Sequence, residues 1–261
     1  MPSSYLFPLL LLLCSITLSA QNVYAPQYTN TFTISLGLHQ GYFKDQNFSP
    51  LNYRASGLRV GFGYARNTKG GNRWHTGLGF GLTELKSGIE NQLATDRFLL
   101  DVSVGYLKGL AGNDEDKQHY LGGNFRSYVD ISIFDGAEAI TFYGLHAFEL
   151  AGALNWKTGN KHRLTADASL PVFGLLSRPP YSGWDKFIGD NSNNIPKIIT
   201  RGDWTTIGDF FGLRAGLGWQ YQLGQHWALG ARYDVAYYTT RQIDPVRILN
   251  NTFSVQAVRS Y

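Results

Sequence analysis

Hydrophobic and polar positions alternate along most of the chain, most clearly between Phe211 and Tyr238. In the first half of this stretch every second residue is apolar or aromatic, and the positions between are small or polar, such as Arg214. The alternation resumes at Trp227 after a break at Gly224. A period of two residues is that of a β-strand. Two such runs joined by a short break predict a β-hairpin.

The charged residues of this hairpin lie on its glycine-rich side. Arg214, Arg232 and Asp234 occupy that side in mid-strand, whereas Trp219 and Trp227 lie close to the turn. An apolar row that ends in Trp and Tyr, backed by glycine and charge, is typical of a strand between lipid and a narrow polar lumen.

Similar alternating runs cover the rest of the chain and bring the total to about ten strands. Short polar turns alternate with longer connections, and the even strand count is expected to leave both chain termini on one side, as bacterial outer-membrane barrels require. An open sheet edge in hydrocarbon would leave backbone groups unpaired, so the sheet must close. The sequence therefore predicts an all-β fold, a closed antiparallel transmembrane β-barrel. The predicted runs begin at Phe32, Leu58, Trp74, Leu100, Leu121, Ile140 and Leu164 before the hairpin, and at Phe253 after it.

Two regions are less regular. Between Ile140 and Trp156, Glu149 and Asn155 fall on the same face of the predicted strand, so if they point inward His146 must face lipid. A β-bulge between these residues would shift the alternation by one position and remove this conflict. The longest irregular segment runs from Ser177 to Thr206. Two further short strands around Lys197 to Thr205 would raise the strand count to twelve.

The N-terminus reads as a secretory signal. An apolar run from Leu6 to Leu18 is followed by small residues up to Ala20. This pattern predicts a signal peptide over residues 1–20 and a barrel domain over residues 21–261. The absence of Lys or Arg before the run is atypical, but a membrane anchor would need about 20 apolar residues. The single cysteine, Cys14, follows Leu13 rather than the small residue expected of a lipoprotein. The mature chain is thus expected to have no disulfide and no thiolate metal site.

Composition agrees with a barrel and excludes other classes. Aromatic residues make up 15% of the chain and charged residues only 16%, with 30 glycines, as expected when alternate residues face lipid. The net charge of +4 is dispersed, and no basic stripe interleaved with aromatic residues indicates nucleic-acid binding.

Ten titratable residues fall at inward positions. They are candidates for a selective pore or a catalytic pair, and the alternative is that neighbouring Arg and Asp side chains fill and neutralise a narrow lumen. We favour the neutralising network. The ten residues are Arg59, His75, Asp101, Arg126, Asp130, Glu149, Asp167, Arg214, Arg232 and Asp234.

The C-terminal segment from Thr252 to Tyr261 resembles the targeting strand of Gram-negative outer-membrane barrels. It ends in an aromatic residue and places Phe253, Val255 and Ala257 at alternate positions, although Arg259 departs from the pattern. The combination of Gly-rich strands and Asn-rich loops is similar to that in small barrels of the Bacteroidota. The resemblance implies location in the cell outer membrane, contact with lipid and lipopolysaccharide, and recognition of the terminal strand by the barrel-assembly machinery. It implies no activity.

Enzymatic alternatives find little support in the sequence. Outer-membrane proteases of this size use Asp-Asp and Asp-His pairs, and outer-membrane lipid hydrolases use His and Ser two residues apart on a strand. The predicted strands contain neither pattern. The glycines of Gly77–Gly81 alternate with outward apolar residues, so they do not form a nucleotide loop. We expect no cofactor and no metal.

The longest connection is the best candidate for a recognition surface, because long loops in compact domains are often functional. Its candidate contact residues are Arg178, Tyr181, Trp184 and Trp204. The sequence therefore favours a non-enzymatic barrel, either a small porin-like channel or a structural barrel. A binding or assembly module that docks a surface protein through this loop is the alternative, and a lipid or peptide hydrolase is a further one.

Overall fold

Eleven β-strands and one short helix make up the described part of the chain. The structure, a computed structural model, describes residues 30–47, 49–68, 71–89, 95–110, 116–134, 139–178, 190–191, 193–240 and 244–261. The predicted signal segment, with Cys14, lies outside these residues. The strands are β1 (Asn30–Asp45), β2 (Tyr53–Asn67), β3 (Arg73–Lys86), β4 (Thr95–Gly109), β5 (Lys117–Phe134), β6 (Ala139–Thr158), β7 (His162–Ser177), β8 (Asp203–Thr206), β9 (Phe210–Gln222), β10 (Trp227–Thr240) and β11 (Val246–Ser260), and the helix α1 spans Ile195–Ile199.

Ten of these strands close into an antiparallel barrel. Sequential strands pair from β1 to β7, β7 continues to β9, and β11 returns to β1 in a continuous register. The short strand β8 pairs with β7 at Phe173–Leu176, beyond the stretch His162–Ser169 that pairs with β9. Strands β8 and β9 therefore pair with successive parts of β7, along the same edge of that strand. The predicted fold class is confirmed, with one extra strand.

The two ends of the barrel differ. We call the end that carries the β2–β3, β4–β5, β6–β7 and β9–β10 connections the turn end, and the opposite one the loop end. The first and last described residues meet at the turn end, where Asn30 and Tyr261 exchange backbone hydrogen bonds of 2.9 and 3.0 Å. Strand β1 thus begins, and strand β11 ends, at the same end of the barrel, as expected for an even number of wall strands.

The alternation in the sequence corresponds to the two faces of the wall. Outward leucines are largely exposed, including Leu38 at 62%, Leu82 at 62% and Leu217 at 64%. The intervening positions point into the barrel, where Gly216 lies close to the Arg232 guanidinium. The wall therefore presents an apolar outside and encloses its polar residues.

The predicted bulge is present but lies on the other strand. The β6–β7 register shifts at Phe148 and Glu149, whose partners are Phe173 and Pro171, so Val172 is the extra residue and belongs to β7. The expectation of a parity switch within β6 was wrong. Consequently His146 does face outward, and it is β7 that changes parity.

The connection between β7 and β9 also differs from expectation. Its described part contains α1 and β8 rather than two strands, so the twelve-strand alternative was wrong for these residues. Asn194 begins the helix by accepting a hydrogen bond from the Lys197 backbone N–H at 3.2 Å. The segment contacts the outside of the wall, because Ser177 donates a hydrogen bond of 2.6 Å to the Arg201 carbonyl.

Candidate functional site

The loop end of the lumen is filled by a hydrophobic core to which all ten wall strands contribute. Tyr128, Tyr143 and Tyr238 lie at its centre, with ring centroids 5.2 to 6.4 Å apart. Every member is less than 9% exposed, so the lumen is closed at this level. We call this set the loop-end core; it consists of Phe43, Tyr53, Ala55, Leu85, Leu99, Tyr128, Tyr143, Leu145, Ala147, Leu176, Phe210, Ala236, Tyr238, Val246 and Ile248.

Two buried ion pairs are embedded in this core. Arg97 donates to both carboxylate oxygens of Asp130, with an Nε–Oδ1 distance of 2.8 Å, and the Tyr128 hydroxyl donates to Asp130 at 3.1 Å. Nearer the rim, Arg178 Nη2 lies 2.8 Å from Asp45 Oδ1, with both side chains 2% exposed or less. Charges this buried are tolerated only when they are paired and hydrogen-bonded.

Sequence reasoning missed Arg97 and misplaced Arg178. The predicted fourth strand began at Leu100, but β4 begins at Thr95, and Arg97 shares the inward parity of Asp101. Extending that alternation toward the N-terminus would have found it. The expectation that Arg178 lies on an exposed recognition surface was wrong, because the bulge at Val172 turns the even positions of β7 inward.

Of the other recognition residues, Tyr181 and Trp184 lie outside the described residues. Trp204 is described and is 68% exposed on β8. Its ring stacks on Phe173 with a centroid separation of 5.1 Å and an interplanar angle of 3°. It therefore lies flat against the outer wall near the loop end.

Below the core, one carboxylate receives three guanidinium groups. Asp101 is 2.9 Å from Arg59, 2.6 Å from Arg126 and 3.0 Å from Arg214. Arg126 also contacts Glu149 at 3.2 Å. Charge-assisted hydrogen bonds of this length are about twice as strong as neutral ones. These five residues, which we call the Asp101 cluster, join strands β2, β4, β5, β6 and β9 across the lumen.

A second group of charges lies toward the turn end. Arg232 donates to Asp167 at 2.7 Å and to Asp234 at 2.9 Å. We call these three residues the Arg232 cluster. The structure thus brings nine of the ten predicted lumen residues into ion pairs, in three groups centred on Asp130, Asp101 and Arg232.

The tenth predicted residue, His75, lies in the lumen but outside these networks. Its Nδ1 atom is buried and has no hydrogen-bond partner among the described residues. His39, on the same side of the wall, contacts the Thr252 hydroxyl at 3.0 Å. Within the described residues neither lumen histidine reaches a serine or a carboxylate, the arrangement that a catalytic base requires.

A serine–histidine contact does occur, but on the outside of the wall. Ser127 Oγ and His146 Nδ1, which face each other across β5 and β6, are 2.8 Å apart. His146 Nε2 lies 2.9 Å from the Ile199 carbonyl oxygen. A carbonyl can only accept, so Nε2 carries a proton; in the neutral imidazole Nδ1 then accepts from the serine hydroxyl. This pair fastens α1 to the wall and was not expected from the sequence.

The turn end of the lumen is hollow. Two adjoining cavities of about 240 and 330 Å³ share Arg126, Arg232 and Gln256 in their linings. The larger one extends to Arg73, the first residue of β3. We call the two together the turn-end cavity. The barrel is therefore closed at its loop end and hollow at its turn end.

The described residues contain no group of three or more His, Cys, Asp or Glu side chains arranged to hold a metal ion. No described helix is long and apolar enough to cross a membrane.

Comparison with solved structures identifies similar barrels. The outer membrane protease OmpT from Escherichia coli matches 94% of this chain and 99% of its own, with a TM-score of 0.54 at 10% identity. The translocator domain of the autotransporter NalP from Neisseria meningitidis matches 90% of this chain and 88% of its own, with a TM-score of 0.47 at 13% identity. At 10% identity the likeness to OmpT shows the fold alone, since one fold serves many functions. No protein-family model and no curated protein sequence matches the chain.

Proposed function

We propose that the chain is an integral barrel of a bacterial outer membrane whose role is structural, without conduction or catalysis. The outward face of β4 supports the membrane location. From Phe98 to Tyr106 it is apolar for about 27 Å at 3.4 Å per residue, and Asp96 and Lys108 bracket this stretch. With the strand tilt of such barrels the height is about 20 Å, close to the expected apolar band.

The loop-end core is the observation that favours a structural barrel over a porin-like channel. A channel needs a continuous aqueous path, whereas here tyrosines and aliphatic side chains from every wall strand close the lumen. The polarity of the wall also inverts at this level. On β2, Tyr53 and Ala55 point inward and are buried while Arg54 points outward and is exposed, as in a water-soluble domain.

Planar-bilayer conductance tests this proposal. The purified wild-type protein should show no conductance steps. Replacing Tyr128, Tyr143 and Tyr238 together by alanine should create steps, because it removes the centre of the loop-end core. The matched control replaces the outward Tyr233, 46% exposed, and should stay silent. Regular wild-type steps would contradict the structural role and restore the channel.

The partners implied by this role are part of the proposal. The apolar wall would contact lipid and lipopolysaccharide, and the strand that ends at Tyr261 would present the barrel to the assembly machinery. Deleting Tyr261 should reduce the fraction of chain recovered folded in the outer membrane. Unchanged recovery would count against that role of the terminal residue.

A binding or assembly role at the loop end is favoured by Trp204. An aromatic side chain that remains 68% exposed is a typical anchor at protein interfaces. If a surface protein docks here, Trp204→Ala should abolish its co-purification from native membranes, whereas Trp227→Ala at the turn end should not. Equal recovery with both variants would exclude this role for Trp204.

The Ser127–His146 contact is the observation that favours a hydrolase. A neutral histidine that accepts from a serine and is oriented by a carbonyl is the arrangement of an activated nucleophile. The β-ladder on both sides of Ser127 is continuous, however, so the nearby backbone N–H groups are engaged in strand pairing and leave none for an oxyanion. A fluorophosphonate probe should therefore leave Ser127 unmodified. Labelling that Ser127→Ala removes would establish the enzyme instead.

A further inference from the structure

The ion pairs of the open part of the lumen neutralise one another completely. The Asp101 cluster contains three arginines and two carboxylates, and the Arg232 cluster contains one arginine and two carboxylates. Four positive and four negative charges are therefore matched. No carboxylate of these two clusters is left over for another cation.

Two further arginines remain unmatched at the turn end. Arg73 lines the turn-end cavity and makes no hydrogen bond or ion pair among the described residues. Arg163, on β7, shares its wall face with Gln220 and Lys157, its cross-strand partners, and Gln220 lines the cavity. Lys157 already contacts Asp116 at 3.8 Å, whereas Arg163 has no such partner within the described residues.

The two arginines lie at the same end of the barrel, but only Arg73 lines the cavity, whereas Arg163 is exposed at the turn end. Arg73 is on β3 and Arg163 on β7, four strands apart in the wall order. Arg73 lies within electrostatic range of both Arg163 and Arg232. Asp167 also lines the cavity and lies within electrostatic range of Arg73, but it is paired with Arg232. Arginines that converge without an ion-pair partner of their own raise the local concentration of anions.

Apart from Arg126, Arg232 and Asp167, which are ion-paired, the rest of the lining supplies neutral hydrogen-bonding groups. Amide side chains of Asn124, Asn155, Gln220 and Gln256 face the cavity, together with hydroxyls. The Oδ1 atom of Asn124 is buried without a partner among the described residues, although its Nδ2 donates to Glu149 at 2.9 Å. A small number of placed polar groups around a cavity is typical of a ligand site.

We propose that the turn-end cavity binds a small, water-borne oxyanion, a molecule that carries a carboxylate or phosphate group, between Arg73 and Arg163. The larger cavity, at about 330 Å³, is at the small end of ligand sites. The loop-end core closes the other side, so the anion enters and leaves at the turn end. Arginine suits this role because its planar fork holds carboxylate and phosphate through two parallel hydrogen bonds.

Calorimetric titration of the detergent-solubilised protein with inorganic phosphate and with citrate tests the site. Wild-type protein should give saturable binding to at least one of the two, and binding should weaken at high salt. Arg73→Gln with Arg163→Gln should weaken it at least about tenfold, since each guanidinium contributes a charge-assisted contact. Arg73→Lys with Arg163→Lys keeps the charge and should retain part of the binding.

The matched control is Arg66→Gln with Arg259→Gln. It removes two positive charges from the same end of the barrel, but both side chains are on the outside of the wall. The control should bind within about twofold of wild type. Absence of saturable binding to both probes, or unchanged affinity in the Arg73 and Arg163 glutamine variant, would overturn the site. A silent barrel that binds no anion would leave the structural role intact, so the two proposals can fail separately.

Discussion

Replacing Asp101 by asparagine should be among the most destabilising single changes in the lumen. Its carboxylate is 5% exposed and holds Arg59, Arg126 and Arg214 within 3.0 Å. After the change Arg126 still contacts Glu149, and Arg214 still donates to the Tyr238 hydroxyl at 2.7 Å. Arg214 loses its ion pair but keeps that hydrogen bond, whereas Arg59 loses both its ion pair and its side-chain hydrogen bond.

The magnitude follows mainly from the loss at Arg59, which keeps no other side-chain partner among the described residues. Removing one partner of a buried pair costs about 3–5 kcal/mol, because the remaining charge is left uncompensated. Arg59 is 19% exposed and borders the turn-end cavity, so water compensates part of the loss. We therefore expect the lower end of the range, about 3 kcal/mol, rather than the sum over three arginines.

Equilibrium urea unfolding in lipid vesicles measures this difference. Asp96→Asn is the matched control, since Asp96 is on the same strand but points outward and is exposed; it should change the unfolding free energy by less than about 0.5 kcal/mol. Combining Asp101→Asn with Arg59→Gln should restore part of the loss, because it removes the orphaned charge. An Asp101→Asn variant within about 0.5 kcal/mol of wild type would refute the reasoning, since the cluster would then be fully screened by water.

Two other predictions concern the wall. Gly122→Ala should destabilise the barrel by about 1–3 kcal/mol, because its Cβ would collide with the Tyr106 backbone carbonyl. Gly123→Ala should be nearly neutral, because a Cβ there would meet no atom closer than 3.8 Å. Urea unfolding compares the two variants, and equal stability would contradict the close approach at Gly122. His146→Ala should release the segment around α1 and raise hydrogen exchange there, while Phe148→Ala, two residues along the same face, should not; unchanged exchange in the histidine variant would mean that the contact does not hold the segment.

The barrel wall could be predicted because its physics is local. A strand exposes alternate residues, so the parity of Leu213 and Arg214 already separates the lipid side from the lumen. The sequence predicted that Asp101 points inward, but not that three arginines meet there. That convergence depends on which strands face one another across a closed barrel.

The loop-end core escaped prediction because the alternation inverts. Outward Arg54 and Glu84 neighbour inward Tyr53 and Leu85, which is the pattern of a wall that has left the apolar layer. The inversion is visible in the sequence once the membrane boundary is known. The switch of parity in β7 is not visible, because an extra residue such as Val172 leaves no signal in composition.

The most direct test of the barrel's sidedness is the accessibility of spin labels at consecutive single-cysteine positions of β2, Val60, Gly61, Phe62 and Gly63, in lipid vesicles. Gly63 has room for a side chain, since the nearest atom to a Cβ placed there would be in Thr33, at 3.7 Å. We expect labels at positions 60 and 62 to be accessible to oxygen, which partitions into lipid. Labels at positions 61 and 63 should respond instead to a water-soluble nickel chelate. Labels that respond to the nickel chelate at all four positions would mean that the apolar rows face water and that the chain is not a membrane barrel.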